Sequence, residues 1–304
     1  MKSLLISAIT LLPLAPAVAQ NNMPLVEEKS TRVSDHVWAI VGWPDIAIVT
    51  GSRATLVVDT GLGPRNGATV VRVVKKLSTA QKLFLTTTHF HAEHTAGEAG
   101  FPAETILIRP AVQQADVDKG VAGMIARFST FSEQNRELLA GVKLRAPDIV
   151  FDTETKLDLG GVTARLLWFG AGHTKGDELI FVEPDSALIP GDIVQDKIVP
   201  RVNAGEGSVK GWLAILDKIA PLNPRYIVPD HGALGDGSLI GKERAFIADL
   251  QSRALALKHQ GVSVGDAGKQ LTAEFKAKYP DWASMDLAAS FVGRVYAEDD
   301  APVR

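Results

Sequence analysis

The sequence predicts an α/β fold of layered sheets and helices, and three observations carry that prediction. Short runs rich in Val, Ile and Thr, bounded by Gly and Pro, alternate with stretches of helical periodicity. Apolar side chains make up 46% of 304 residues, enough for one large or two small cores. No stretch beyond the first residues is apolar enough to span a bilayer.

At the start, Lys2 precedes an apolar run from Leu4 to Val18 that ends in Ala17-Val18-Ala19, a small-x-small cleavage pattern. This predicts a signal peptide over 1–19, cleaved near Ala19, and a secreted, periplasmic protein. The run is shorter than the roughly 20 residues a span needs and contains Pro13 and Pro16, which argues against a permanent anchor. Three β-rich pieces follow: Val37 to Val41, Ile46 to Thr50 and Thr55 to Asp59. After the turn Gly61-Leu62-Gly63-Pro64, Val70, Val73, Val74 and Leu77 recur at helical spacing, so 66–77 reads as a helix. Leu83 to Thr88 and Thr105 to Ile108 read as strands, and 113–139 is mostly helical, with Met124, Ile125, Phe128 and Phe131 on one face. That region either packs on the sheet flank or covers the site.

The second half repeats the pattern. Thr155 to Leu159, Thr163 to Phe169, Leu179 to Val182, Ala187 to Ile189 and Tyr226 to Val228 are strand-like. Ser208 is a good N-cap for a helix carrying Val209, Trp212, Leu216 and Ile219 on one side. From Leu239 onward the chain is helical and bears no chemical motif. The segments ending at Asp59 and Asp192 are both turn-strand-Asp pieces beside Gly, a weak internal echo of two similar halves.

The net charge of −3 and pI near 6.2 supply no basic field for nucleic acid, so the expected partner is a small molecule. With no cysteine, the chain has no disulfide and no thiolate ligand, and any metal site must use His and carboxylates.

Such a site is the strongest feature of the sequence. In Thr88-His89-Phe90-His91-Ala92-Glu93-His94, directly after a strand, three imidazoles and a carboxylate crowd into six positions. Borderline Zn2+ favours imidazole nitrogen with carboxylate oxygen, and a loop at a strand end aims alternate side chains at one point. His173, in Gly172-His173-Thr174-Lys175-Gly176-Asp177, and His231, after Tyr226-Ile227-Val228-Pro229-Asp230, also follow apolar runs, as does Asp192 in Ile189-Pro190-Gly191-Asp192. Asp192 alone is equally a turn residue. His36 and His259 sit at element ends with no such company and are expected to stay outside the chemistry.

Together these ordered motifs, from about Val33 to Leu250, resemble the metallo-β-lactamase superfamily: Val58-Asp59-Thr60-Gly61, the H-x-H-x-(D/E)-H loop at 89–94, the G-x-x-H-T-x-G-D segment ending at Asp177, the strand ending at Asp192, and His231-Gly232. The resemblance implies a four-layer αββα sandwich over 20–250, and the helical pattern beyond it predicts a helical extension over 251–304 packed on it. It implies two Zn2+ per chain: His89, His91 and His173 on the first, His94, His231 and Glu93 on the second, and Asp192 bridging. The family usually has Asp where Glu93 stands, so the longer side chain bears on occupancy of the second site. Asp59 and Asp177 are candidates for orienting the ligating imidazoles, or cap turns.

The implied chemistry is hydrolysis. Two close divalent ions lower the pKa of a shared water toward about 7 and so furnish a nucleophile at neutral pH. Glu93 and Asn203 are the candidate catalytic residues: Glu93 as hydrogen-bond acceptor for the attacking water, Asn203 as substrate or oxyanion binder by likeness to class B1 β-lactamases. The bland alternative for Asn203 is a polar loop with a helix cap. Arg201 and Lys197 are candidate cations for an anionic substrate. Class B1 enzymes carry Cys where Asp192 stands, whereas lactonases and glyoxalase II-type thioesterases bridge with Asp. The expectation is therefore a hydrolase of cyclic amides or esters, with β-lactams among its substrates; an iron-dependent oxidoreductase on the same scaffold and a metal-stabilised binding protein are the alternatives.

Overall fold

The arrangement of strands follows from which residues face apolar neighbours on one side or on both. The computed structural model describes residues 25–300 apart from Ala204, so the expected signal peptide lies outside the described residues. Seven strands form the first sheet in chain order: β1 (Thr31–Arg32), β2 (Val37–Ile40), β3 (Ile46–Thr50), β4 (Ala54–Val58), β5 (Lys82–Thr86), β6 (Ile106–Pro110) and β7 (Ile149–Phe151). β1 to β4 are antiparallel neighbours, while β4 to β7 run parallel. The parallel part needs crossovers, which α1 (Pro64–Leu77), the single turn α2 (Ala92–Thr95), α3 (Ala111–Phe128) and α4 (Glu133–Leu138) supply. The second sheet holds β8 (Glu154–Asp158), β9 (Thr163–Trp168), β10 (Glu178–Glu183), β11 (Ala187–Ile189) and β12 (Tyr226–Ile227), in the order β12-β11-β10-β9-β8.

Period-two alternation sends each strand's apolar residues to both faces. Val49, Leu56 and Val58 of the first sheet meet Leu166, Ile180, Val182 and Ile189 of the second in one core between the sheets. Their neighbours Ile48, Val57 and Leu85 point the other way, onto Val70, Val73 and Val74 of α1. On the far side, Leu167, Leu179, Phe181 and Leu188 pack on α5 (Val209–Ile219), whose Trp212 is fully buried. The layers are thus helix, sheet, sheet, helix, the αββα sandwich.

Three more helices complete the outer layer: α6 (Ser238–His259), α7 (Val264–Lys278) and α8 (Ala288–Asp300). Phe246, Leu250, Leu271, Phe275 and Phe291 join them to the same core as Trp212. α6 runs unbroken across position 250, where the sequence reading divides domain from extension. The helical extension therefore shares its core with the sandwich.

Ser208 caps α5, its hydroxyl accepting the Gly211 N–H at 3.0 Å. A Cβ on Gly211 would lie 1.9 Å from the Ala171 carbonyl oxygen, so only glycine lets the first turn of α5 touch the loop that carries His173. The helical reading of 113–139 resolves into α3 and α4, separated at Ser129–Ser132, with Ser132 capping α4. Val117, Met124, Phe128 and Leu138 pack with Leu62 and Phe90 beside the 89–94 loop.

Candidate metal centre

Strand direction brings the candidate residues together. β4 and β5 are parallel, so Asp59 and the 89–94 loop leave the first sheet at one edge. β11 and β12 are parallel, and β9 shares their direction because β10 opposes both, so His173, Asp192 and His231 leave the second sheet together. Glu178 N–H donates to the Thr88 carbonyl at 2.7 Å and Asp45 N–H to the Asp230 carbonyl at 2.7 Å, holding the two edges against each other.

Three ring nitrogens converge first. His89 Nε2 lies 3.0 Å from His91 Nδ1, and His173 Nε2 lies 3.2 Å from the same atom. A second group joins Glu93, His94 and His231. Asp192 stands between the groups, Oδ2 at 3.2 Å from His173 Nε2 and Oδ1 at 3.3 Å from His231 Nε2. Gly191, at φ +60°, brings this carboxylate in beside Thr88, whose side chain would clash with a Cβ there.

The outer nitrogen is held in four of the five imidazoles, His231 Nδ1 being buried without a hydrogen bond. His94 Nδ1 faces Asp59 Oδ2 at 3.0 Å and Asp230 Oδ2 at 3.3 Å. His173 Nδ1 donates to the Arg201 carbonyl at 2.7 Å, and His91 Nε2 faces Glu206 Oε2 at 3.2 Å. His89 Nδ1 faces the Thr88 hydroxyl at 3.2 Å. With the proton parked outside, the lone pair of the inner nitrogen points into the cluster. Glu93 Oε2, His94 Nε2 and Asp192 Oδ1 are buried yet make no hydrogen bond. A group of convergent, desolvated N and O donors without partners fits a divalent cation, which would satisfy them all.

The electrostatics set His94 apart from the other rings. Burial, with the surrounding imidazoles, pushes His89 well below its ordinary pKa, and burial lowers His91 and His231 to about 4, so these rings are neutral at pH 7. For His94 burial is outweighed by the Asp59 and Asp230 carboxylates, which raise it to about 10. Burial raises Glu93 to about 7. In Asp192 the cost of burial is overcome by His231 and His173, which hold its carboxyl below the ordinary range.

Of the other sequence candidates, Asp59 grips His94, while Asp177 serves the backbone instead. Its oxygens accept from Gly172 N, Thr174 N and the Thr174 hydroxyl at 2.6 to 3.0 Å, fixing the loop around His173 rather than its ring. Asn203 donates one amide N–H to Glu206 Oε2 at 2.6 Å. Lys197 pairs with Asp281 at 2.6 Å on the surface, away from the cluster. Arg201 does line the cavity, with Trp43 and Glu93. His36 pairs with Asp185 at 2.6 Å, and the His259 side chain is 71% exposed, so neither reaches the cluster.

Three residues here escape sequence reasoning. Glu206 holds His91 across 115 positions of chain, Asp230 backs His94, and Trp43 stacks on His231 with ring centroids 3.7 Å apart. Only Asp230 carried a signal, its place beside His231.

The sequence profile of the metallo-beta-lactamase superfamily matches residues 44–231. No curated protein matches the chain. Among solved structures, a metallo-beta-lactamase from Pontibacter korlensis aligns at TM-score 0.58 and 20% identity, over 72% of this chain and 98% of that one. The DIM-1 metallo-beta-lactamase aligns at 0.56 and 16% identity, over 74% and 98%. The stereoselective inverting sec-alkylsulfatase Pisa1 from Pseudomonas sp. aligns at 0.67 and 14% identity, over 88% of this chain and 50% of the longer sulfatase.

Proposed function

The chain belongs to the metallo-beta-lactamase superfamily, and from that premise we propose that it is a zinc-dependent hydrolase that opens a cyclic amide or ester, with two Zn2+ in its active site. His89, His91 and His173 would hold one ion, His94, His231 and Glu93 the other, and Asp192 both. The observation that carries this reading is the place of Asp192, within 3.3 Å of an imidazole from each group through separate oxygens.

When bound, the metal pair supplies an activated water at neutral pH and polarises the scissile carbonyl. The protein's own residues do the rest. Glu93 Oε1 lies on the His94 side at 3.9 Å, leaving Oε2 to accept the proton of the attacking water and pass it to the leaving atom. Asp59, Glu206 and the Arg201 carbonyl fix the tautomers of His94, His91 and His173. Asn203 acts through Glu206 as a positioning residue. Trp43 shields the His231 side from water and offers an apolar face to substrate.

Export belongs to the same proposal. The mature protein would begin near Gln20, as N-terminal sequencing of a periplasmic fraction would report.

The test is metal analysis paired with a hydrolysis panel of β-lactams, lactones, thioesters and an alkyl sulfate. Two zinc ions per chain with turnover of a lactam or lactone are expected. Bound iron with oxygen consumption and no hydrolysis would overturn the proposal, as would a zinc-loaded protein that turns over none of the panel.

A further inference from the structure

One loop of the second sheet touches every candidate ligand that this sheet supplies. It begins at Asp192; its Asp196 N–H donates to the His231 carbonyl at 3.3 Å, and its Arg201 carbonyl accepts from His173 Nδ1 at 2.7 Å. Between those contacts the helical extension clamps it. Ala283 N–H donates to the Lys197 carbonyl at 2.8 Å and Val199 N–H to the Ala283 carbonyl at 3.1 Å, a parallel bridge of Ile198 with Ala283. The Lys197 ammonium adds an ion pair to Asp281 at 2.6 Å.

Two features mark this contact as more than packing. Lys197 and the neighbour of Ala283, Ser284, have φ +56° and +59°, left-handed conformations that residues other than Gly and Asn seldom adopt. Such a backbone persists only where its surroundings impose it, and on Lys197 the hydrogen bond to Ala283 does so. The clamp is itself held rigidly. Trp282 stacks on Phe246 of α6 with ring centroids 4.1 Å apart and planes 10° apart, and Phe246 is fully buried in the core that α5 to α8 share. A shift of Ala283 therefore reaches Asp192 along the chain, His231 through Asp196 and His173 through Arg201.

Resting on the metal-centre reading above, we propose that Ala283 is a positioning residue of that centre: its bridge to the loop sets the backbone of Asp192, His173 and His231, so the helical extension tunes metal affinity. Ala283 lies beyond residues 44–231, the part of the chain that matches the superfamily, so this control is added to the shared core rather than part of it. His89, His91, Glu93 and His94 belong to the first sheet and stay where they are when the clamp is released.

The experiment is titration of the metal-free full chain with Zn2+ against a chromophoric chelator, together with the visible spectrum of the Co2+-loaded protein, which reports ligand geometry. Ala283→Pro removes the N–H that Lys197 accepts and leaves the core alone, the Ala283 side chain being exposed. It weakens zinc binding by about tenfold, the lower end of what losing a group that orients a metal ligand costs, and shifts the Co2+ bands. Trp282→Ala, which frees the clamp from Phe246 and keeps every backbone donor, changes both in the same direction and decides the matter if Ala283→Pro does not fold. Asp281→Asn breaks only the surface ion pair and stays within about threefold of the parent, a margin well under the tenfold effect. A merely structural clamp would lower the Tm of the metal-free variants and leave zinc affinity and the Co2+ bands as in the parent; that result overturns the proposal, as does a parent that binds no zinc. Zinc binding needs no turnover, so an inactive parent whose variants lose affinity would reject the hydrolase reading alone. An active parent whose variants hold zinc as well as it does would reject this proposal alone.

Discussion

Replacing Asp59 by Asn exchanges one carboxylate oxygen for an amide nitrogen at a position with no exposure to solvent. Asp59 has φ +71°, a left-handed conformation that Asn tolerates well, so the backbone is undisturbed. Oδ1 accepts the Thr88 N–H at 2.7 Å, and an Asn oxygen keeps that place. The new NH2 then takes the position of Oδ2, 3.0 Å from His94 Nδ1, and sets donor against donor. Relief comes if His94 moves its proton to Nε2, the atom with no other partner, which cancels the lone pair aimed into the cluster. The longer approach to Asp230 Oδ2 at 3.3 Å is the remaining hold on Nδ1, so binding is weakened rather than abolished. Loss of such an outer partner costs about 10–100-fold in metal affinity, or about 1.4–2.7 kcal/mol. Titration of the apo-protein with Zn2+ against a chromophoric chelator is expected to show one equivalent unchanged, held by His89, His91 and His173, and one weakened by that factor. Two equivalents both within threefold of the parent, in a variant with parental circular dichroism, would refute the reasoning.

Further outcomes follow from the same geometry. His91→Ala is expected to lose activity and the metal equivalent held by His89, His91 and His173, whereas His259→Ala leaves both intact, its side chain being 71% exposed on α6; equal metal content in the two variants would sink the ligand assignment. Trp212→Ala removes a fully buried indole whose N–H donates to the Ile193 carbonyl at 2.8 Å, one residue from Asp192, and should cost about 3–5 kcal/mol, read as a lower Tm in thermal unfolding. A Tm within 2 °C of the parent, about the smallest shift that 1 kcal/mol gives, would contradict it. Burial raises the Asp45 carboxyl to about 8 from 3.8, and one of its oxygens has no partner. A raised carboxyl pKa means stability that is complete below the unfolded value and is lost as pH rises toward the folded one. The Tm advantage of Asp45→Asn over the parent should therefore grow between about pH 4 and about pH 8 and level off above; an advantage independent of pH would show that Asp45 ionises freely in the folded protein.

How much of this was legible beforehand divides along a physical line. Strands such as Ile46–Thr50 and Thr163–Trp168 announce themselves because burial on one or both faces demands Val, Ile and Leu at fixed period. β1 and β7 do not, because two or three residues at a sheet edge pair through backbone alone and leave their side chains largely exposed. The break between α3 and α4 is set by the cap at Ser132, which the long apolar periodicity obscures. The same division runs through the site. A cation gathers ligands by chemistry, and chemistry is written in residue type, so the cluster at 89–94 was visible as a cluster. The residues that aim those ligands are chosen by geometry, and almost any carboxylate or carbonyl serves. Asn203 illustrates the consequence: read by likeness it was a substrate binder, yet its amide faces Glu206, and Glu206 faces His91. A polar loop residue three positions from a carboxylate that backs an imidazole is then better spent on the ligand than on the substrate.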